Sequence, residues 1–181
     1  MKAVILLANG FEECEALTPA DILRRAGADV VLASLGEELT VTGAHDIKVV
    51  ADVFVSDVER DGIDVLILPG GLKGTEALGE SYQTKELIEH TVAAGNYVAA
   101  ICAAPSVLGK MGYLDDRNMA CYPGFESEMP LANRTGEKVE VDDIFITAEG
   151  MGVSLEFGLK ITELLYGAET ADKIAEQIRK A

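Results

Sequence analysis

The sequence predicts a doubly wound α/β sandwich, with a mostly parallel sheet and helices on both faces, and three observations carry that expectation. Residues 3–8, Asp29–Ser34, Val65–Leu68 and Tyr97–Ile101 are short, mostly apolar runs bounded by Gly, Pro or Asn. They lack polar alternation, as strands buried on both faces do. Helical patterns lie between and after them. Leu87, Ile88, Thr91 and Val92 share one face of a helix over about 82–94. Val153, Phe157, Ile161, Leu164 and Leu165 form a second stripe, and Ala171, Ile174, Ala175 and Ile178 a third. Finally, Gly27, Gly95 and Gly167 stand just past three of these helices, where a left-handed cap residue belongs.

The first strand leads into Asn9-Gly10-Phe11-Glu12-Glu13-Cys14-Glu15 and a helix continuing to Ala26. The acidic residues suit a helix start. Thr18-Pro19-Ala20-Asp21 also reads as a capping signal, which would begin that helix later than Glu13. Segment 39–55, rich in Thr, Val and Ile around Gly43, suggests a small hairpin or edge ribbon. The arrangement is flavodoxin-like, and open sheets of this kind place ligands at the carboxyl ends of their strands.

The 181 residues are the length of one domain, 1–181, and 49% of them are hydrophobic, enough for a sizeable core. Lys plus Arg total 15 against 31 for Asp plus Glu, a net charge of −16. Such a surface repels phosphate backbones and anionic lipid, so neither nucleic-acid nor membrane partners are expected. The apolar run after Lys2 is too short for a signal-peptide core or a membrane span, and a cytoplasmic location is expected. Cys14, Cys102 and Cys121 are widely spaced and make no disulfide framework. With His45 and His90 the only histidines, and no Cys-x-x-Cys pair, no metal site is expected.

Three strand ends carry the unusual residues. Beyond the glutamate-rich turn, Val65–Leu68 is followed by Pro69-Gly70-Gly71, and Tyr97–Ile101 by Cys102-Ala103-Ala104-Pro105. A strand that stops at a cysteine and turns at once into a helix forces that cysteine into a sharp, exposed elbow. The small neighbours permit the bend, and Pro105 suits a helix's first turn. The free amides of the helix start favour a thiolate, lowering its pKa. Gly71 and Ala103 are positioned to donate backbone N–H groups to an oxyanion. On position alone, Cys102 reads equally well as a small buried hydrophobe.

In this order the motifs Asn-Gly-Phe-Glu-Glu-x-Glu, Leu-Pro-Gly-Gly and Ala-Ile-Cys-Ala-Ala-Pro resemble the ThiJ/PfpI superfamily, in the branch of the Parkinson-disease protein deglycase. The likeness continues through Cys121-Tyr122-Pro123-Gly124, Ile146-Thr147-Ala148 and Leu155-Glu156-Phe157-Gly158-Leu159. The resemblance implies that Cys102 is the elbow nucleophile and oxidation site. It implies that Glu15 is a protonated carboxyl bonded to the cysteine sulfur, and that Gly71 and Ala103 are the amide donors. It also implies a homodimer with its site near the interface, and no metal or organic cofactor.

Three departures stand out. Ala103 replaces the histidine that follows the cysteine in the protease-like branch, which argues against peptidase activity. Tyr122 stands where many relatives carry histidine, and reads as packing or as a site neighbour. Glu149 and Met151 replace an Arg and a Pro. With no histidine beside Cys102 in its own chain, a Cys-His dyad is not expected. His45 reads either as an exposed turn residue beside Asp46 or, where relatives often carry arginine, as a side chain from the partner subunit reaching Cys102 and Glu15.

The implied activity is glutathione-independent handling of small aldehydes such as methylglyoxal, of the glyoxalase III or deglycase type. The alternative is a stress sensor or chaperone whose Cys102 is oxidised to sulfinic acid without turnover. Gly70-Gly71-Leu72-Lys73-Gly74 lacks phosphate-loop spacing.

Overall fold

The computed structural model describes residues 1–180. In chain order its elements are β1 (Lys2–Leu7), α1 (Glu13–Arg25), β2 (Asp29–Ser34), β3 (Thr40–Thr42), β4 (Lys48–Val50), β5 (Val53–Phe54), β6 (Val65–Leu68), α2 (Leu72–Glu80) and α3 (Tyr82–Ala93). There follow β7 (Tyr97–Ile101), α4 (Pro105–Lys110), β8 (Asn118–Met119), β9 (Asn133–Arg134), β10 (Val139–Asp142), β11 (Phe145–Ala148), α5 (Ser154–Tyr166) and α6 (Ala168–Gln177).

The apolar runs build a seven-stranded sheet ordered β10-β11-β7-β6-β1-β2-β5, parallel except for β10. Within it, β2-β1-β6-β7-β11 is the flavodoxin-like order, whose direction of winding reverses between β1 and β6. Both faces are dry. Along β1, Val4 and Leu6 enter one core cluster, with α3 and α4 residues such as Leu87, Ile88 and Leu108. Ala3, Ile5 and Leu7 enter the other, with Ala16, Leu23, Phe157 and Ile161 of α1 and α5. Strict alternation between two buried faces explains why these strand sequences show no alternation of polar with apolar residues.

Helix α1 begins at Glu13 and runs through Pro19, so the later start that Thr18–Asp21 suggested is overruled. Pro19 removes only the N–H that would reach the carbonyl of Glu15, and the helix's apolar face, Ala16, Ala20 and Leu23, continues across it into the core. Helix α5 crosses α1 here closely, because a side chain on Gly158 would come within 3.1 Å of Pro19 Cα. Segment 39–55 divides. β3 and β4 form the expected antiparallel hairpin, while β5 leaves it to pair with β2 at the edge of the main sheet. Strands β8 to β10 are short or half-buried and carry no apolar run for a sequence reading to find. Gly27, Gly95 and Gly167 take positive φ, as cap residues do. No helix is long and apolar enough to cross a membrane, among the described residues.

Candidate active site

The reversal between β1 and β6 leaves a crevice at the strands' carboxyl ends, and three chain segments meet there. From the end of β7, Cys102 turns into α4 with φ 66°, a left-handed conformation that a side chain adopts only under strain. The surroundings fix it. Its N–H donates to Ala148 O at 2.9 Å on one side, and Tyr122 N–H donates to its carbonyl at 2.8 Å on the other. Pro105 opens α4 directly afterwards. The elbow read from small neighbours and a proline is therefore present, with the thiol half-buried at its tip.

Glu15 comes from the first turn of α1 and is fully buried. Its Oε2 accepts the Gly70 N–H at 2.8 Å, and its Oε1 is buried without a hydrogen-bond partner. Gly70 has to be glycine, since a Cβ there would stand 2.5 Å from Glu15 Oε2 and 2.7 Å from Cys102 Cβ. Gly71 follows with φ 84°, pressed against the backbone of Phe11 and Glu12, and caps α2. The N–H groups of Gly71 and Ala103 lie near enough to the Cys102 sulfur to favour its charged form.

Burial pushes the Glu15 carboxyl up to about 7, against the pull of the Gly70 N–H. Burial, then the neighbouring Glu15 charge, pushes the Cys102 thiol up to about 12, against the Ala103 and Gly71 amides. The helix-start argument for a thiolate of low pKa thus loses to desolvation. Helix α4 has only six residues, so its amides are a weak counterweight. Two negative charges in contact exclude one another. The pair therefore holds two protons below about 7 and one proton from there to about 12. In the one-proton state the carboxylate beside a thiol is the main form, and the carboxyl beside a thiolate, which the two amides favour, is its minor tautomer.

Tyr122 lies beside the site, its ring half-exposed and its Cδ2 3.4 Å from the Cβ position of Gly150. That same position is 3.9 Å from Cys102 Sγ and 3.9 Å from Glu15 Oε1. Gly150 was not singled out from the sequence, although its place just past β11 was the available signal. His45 sits in its own chain against Glu13: its N–H donates to Glu13 Oε1 at 2.8 Å, and its Nδ1 lies 2.9 Å from Oε2. Glu12 is 3.6 Å away, and Asp46, the neighbour expected from sequence, supplies the left-handed turn residue instead. Glu12, Glu13 and His45 have ligand atoms within 4.8 Å of one another, close enough to hold a cation, and in this structure they bind each other.

The model of the DJ-1/PfpI family matches residues 1–164. The chain belongs to the DJ-1/PfpI family. It is 38% identical over 178 residues to the Drosophila melanogaster protein dj-1beta, covering 96% of this chain and 94% of that one. The Caenorhabditis elegans glutathione-independent glyoxalase DJR-1.2 is 32% identical, covering 97% and 94%. Among solved structures, Drosophila DJ-1beta superposes with a TM-score of 0.95 at 36% identity, covering 99% of this chain and 98% of that one. Oxidised Toxoplasma gondii DJ-1 gives 0.94 at 35%, again covering 99% and 98%. The ThiJ/PfpI resemblance and the doubly wound fold expected from sequence both hold.

Proposed function

We propose that this protein is a cysteine-dependent, glutathione-independent glyoxalase acting on small reactive aldehydes such as methylglyoxal. The observation that carries the reading is the unpartnered Oε1 of a fully buried Glu15, facing the same small space as the Cys102 sulfur. A buried acceptor without a partner is costly, on the order of 1–3 kcal/mol, and such expense is concentrated at working sites. The glyoxalase relative from Caenorhabditis elegans supports the same substrate class.

In this mechanism the Cys102 thiolate adds to the aldehyde carbon, and the Glu15 proton passes to the resulting oxygen, giving a hemithioacetal. Glu15, now a carboxylate, takes the proton from that carbon, giving an enediolate across the two carbons. Glu15 returns that proton to the neighbouring carbon while the hydroxyl proton passes from the first oxygen to the second, leaving an S-(2-hydroxyacyl) thioester on Cys102. Water adds to the thioester and expels the thiolate, releasing the hydroxy acid, and one proton returns to Glu15. The Gly71 and Ala103 amides face the charge that moves between sulfur and oxygen. No histidine takes part.

A homodimer is part of the proposal. The groove between α1, the β3–β4 ribbon and the end of α6, lined by Leu17, Ile47, Leu155 and Ile178, leaves apolar surface for a second copy. Sedimentation tests that state. The function is tested by following methylglyoxal consumption and lactate formation without glutathione. Wild type is expected to turn over, and Cys102→Ser to fall to background. Wild-type protein that forms no lactate would overturn the reading.

A further inference from the structure

Beside the sulfur the crevice opens into a cleft of about 360 Å³, walled by Tyr122, Pro123, Glu149, Met151 and Val153 and floored by Gly150. Tyr122 and Met151 are both more than half exposed and stand together at the mouth of the cleft. A side chain at Gly150 would stand between this cleft and the Cys102 and Glu15 atoms, each 3.9 Å from its Cβ position. Its absence joins the two spaces. No cation is among the groups that set the proton affinity of Cys102 or Glu15. The nearby Arg134 lies 3.4 Å from Glu149 in an ion pair, and the His45 ring is held by Glu13.

We propose that the Tyr122–Met151 cleft is the substituent pocket of the site, selecting neutral vicinal dicarbonyls with an apolar, aryl-sized group over substrates bearing a carboxylate. This rests on the glyoxalase reading and names its substrate class. Geometry orders the substrate: with the aldehyde carbon at Sγ and the adjacent oxygen toward Glu15 Oε1, the remaining substituent points past Gly150 into the cleft. Apolar walls and an aromatic face reward a ring there. A carboxylate in the same place would lose its hydration with no cation to receive it, next to Glu15 and near Glu149.

Two measurements test the cleft. In steady-state turnover without glutathione, phenylglyoxal is expected to exceed methylglyoxal in kcat/KM by at least about tenfold, and Tyr122→Ala to remove most of that ratio. Independently of turnover, Cys102 is alkylated with iodoacetamide, iodoacetate or iodoacetanilide, and each rate is divided by that of free N-acetylcysteine with the same reagent. The ratio is expected to rise for the anilide and to fall at least about tenfold for the anionic reagent. Tyr122→Ala and Met151→Gln should each lower the anilide ratio. Equal ratios for all three reagents would overturn the cleft even with methylglyoxal turnover intact. Discrimination among reagents without any dicarbonyl turnover would uphold the cleft and refute the glyoxalase reading.

Discussion

Cys102 and Glu15 act as one titrating unit, and each residue's chemistry follows from the other's proton. Because burial holds the carboxyl at about 7, the one-proton state that supplies a thiolate fills as pH rises through that value. Alkylation of Cys102 by iodoacetamide is therefore expected to climb with an apparent midpoint near 7 and then level, rather than follow a free thiol. In Glu15→Gln the negative neighbour is gone, so the thiol, raised to about 12 partly by that charge, should ionise at lower pH than it does beside a carboxylate. The variant keeps its thiol reactivity but loses the proton carrier. Methylglyoxal turnover should fall by about two to four orders of magnitude, as loss of a general acid–base does. Near-normal turnover would refute the relay. With limiting peroxide, Cys102 should gain oxygen before Cys14 or Cys121, since only its sulfur has two amides favouring its charged form; peptide mass spectrometry checks the order. Cys102 was legible in the sequence because an elbow leaves a local signature of strand, small residues and proline. Its raised proton affinity was not, because desolvation depends on segments such as Glu15 and Gly70, 55 positions apart, being brought together.

Among the elements, α1 and the β3–β4 ribbon show how far a local pattern can be read. The ribbon's richness in Thr, Val and Ile around Gly43 announced a hairpin. That its tip would clasp α1 was hidden, since Glu13 and His45 stand 32 residues apart. Glu13 fills the space over Gly43, where a Cβ would collide with its carboxylate, and accepts both the amide and the ring of His45. Pro19 misled for a related reason: capping residues are a local signal, and core burial on both sides of Pro19 outweighed it. The clasp has a measurable consequence. The hydrogen bond to Glu13, and then the charge of Glu12, raise the His45 pKa above its ordinary value. Proton NMR titration should show that elevation in wild type and its loss, for the most part, in Glu13→Gln. An unchanged His45 midpoint in the variant would mean that the ring takes its charge partner from elsewhere, such as a second subunit.

At the scale of the whole molecule, the buried strands and helical stripes gave away the sheet order's class because burial on both faces writes itself into every strand. β11, buried between β10 and β7, is as apolar as the others, but β10 is half-buried and its partner is antiparallel, so that edge stayed unread. The same two-sided burial makes the fold sensitive to pH through Glu15. In an unfolded chain this carboxyl has its ordinary pKa of 4.5, and in the fold it is held at about 7. A group whose pKa is raised on folding adds stability that is complete below the unfolded value and is lost as pH climbs through the folded one. Between those limits the difference amounts to about 3 kcal/mol, at 1.36 kcal/mol for each unit. The wild type should therefore be more stable at pH 4 than at pH 8 as far as this group decides, while Glu15→Gln, with nothing to ionise, lacks that component. The difference in unfolding free energy between variant and wild type, from urea titrations at closely spaced pH, isolates the effect from the chain's other Asp and Glu side chains, which with Glu15 number 31. It should move in the variant's favour from pH 5 to pH 8 and then flatten. A flat difference across that window would show that Glu15 ionises in the fold as freely as it does in water, and the one-proton pair would have to be abandoned with it.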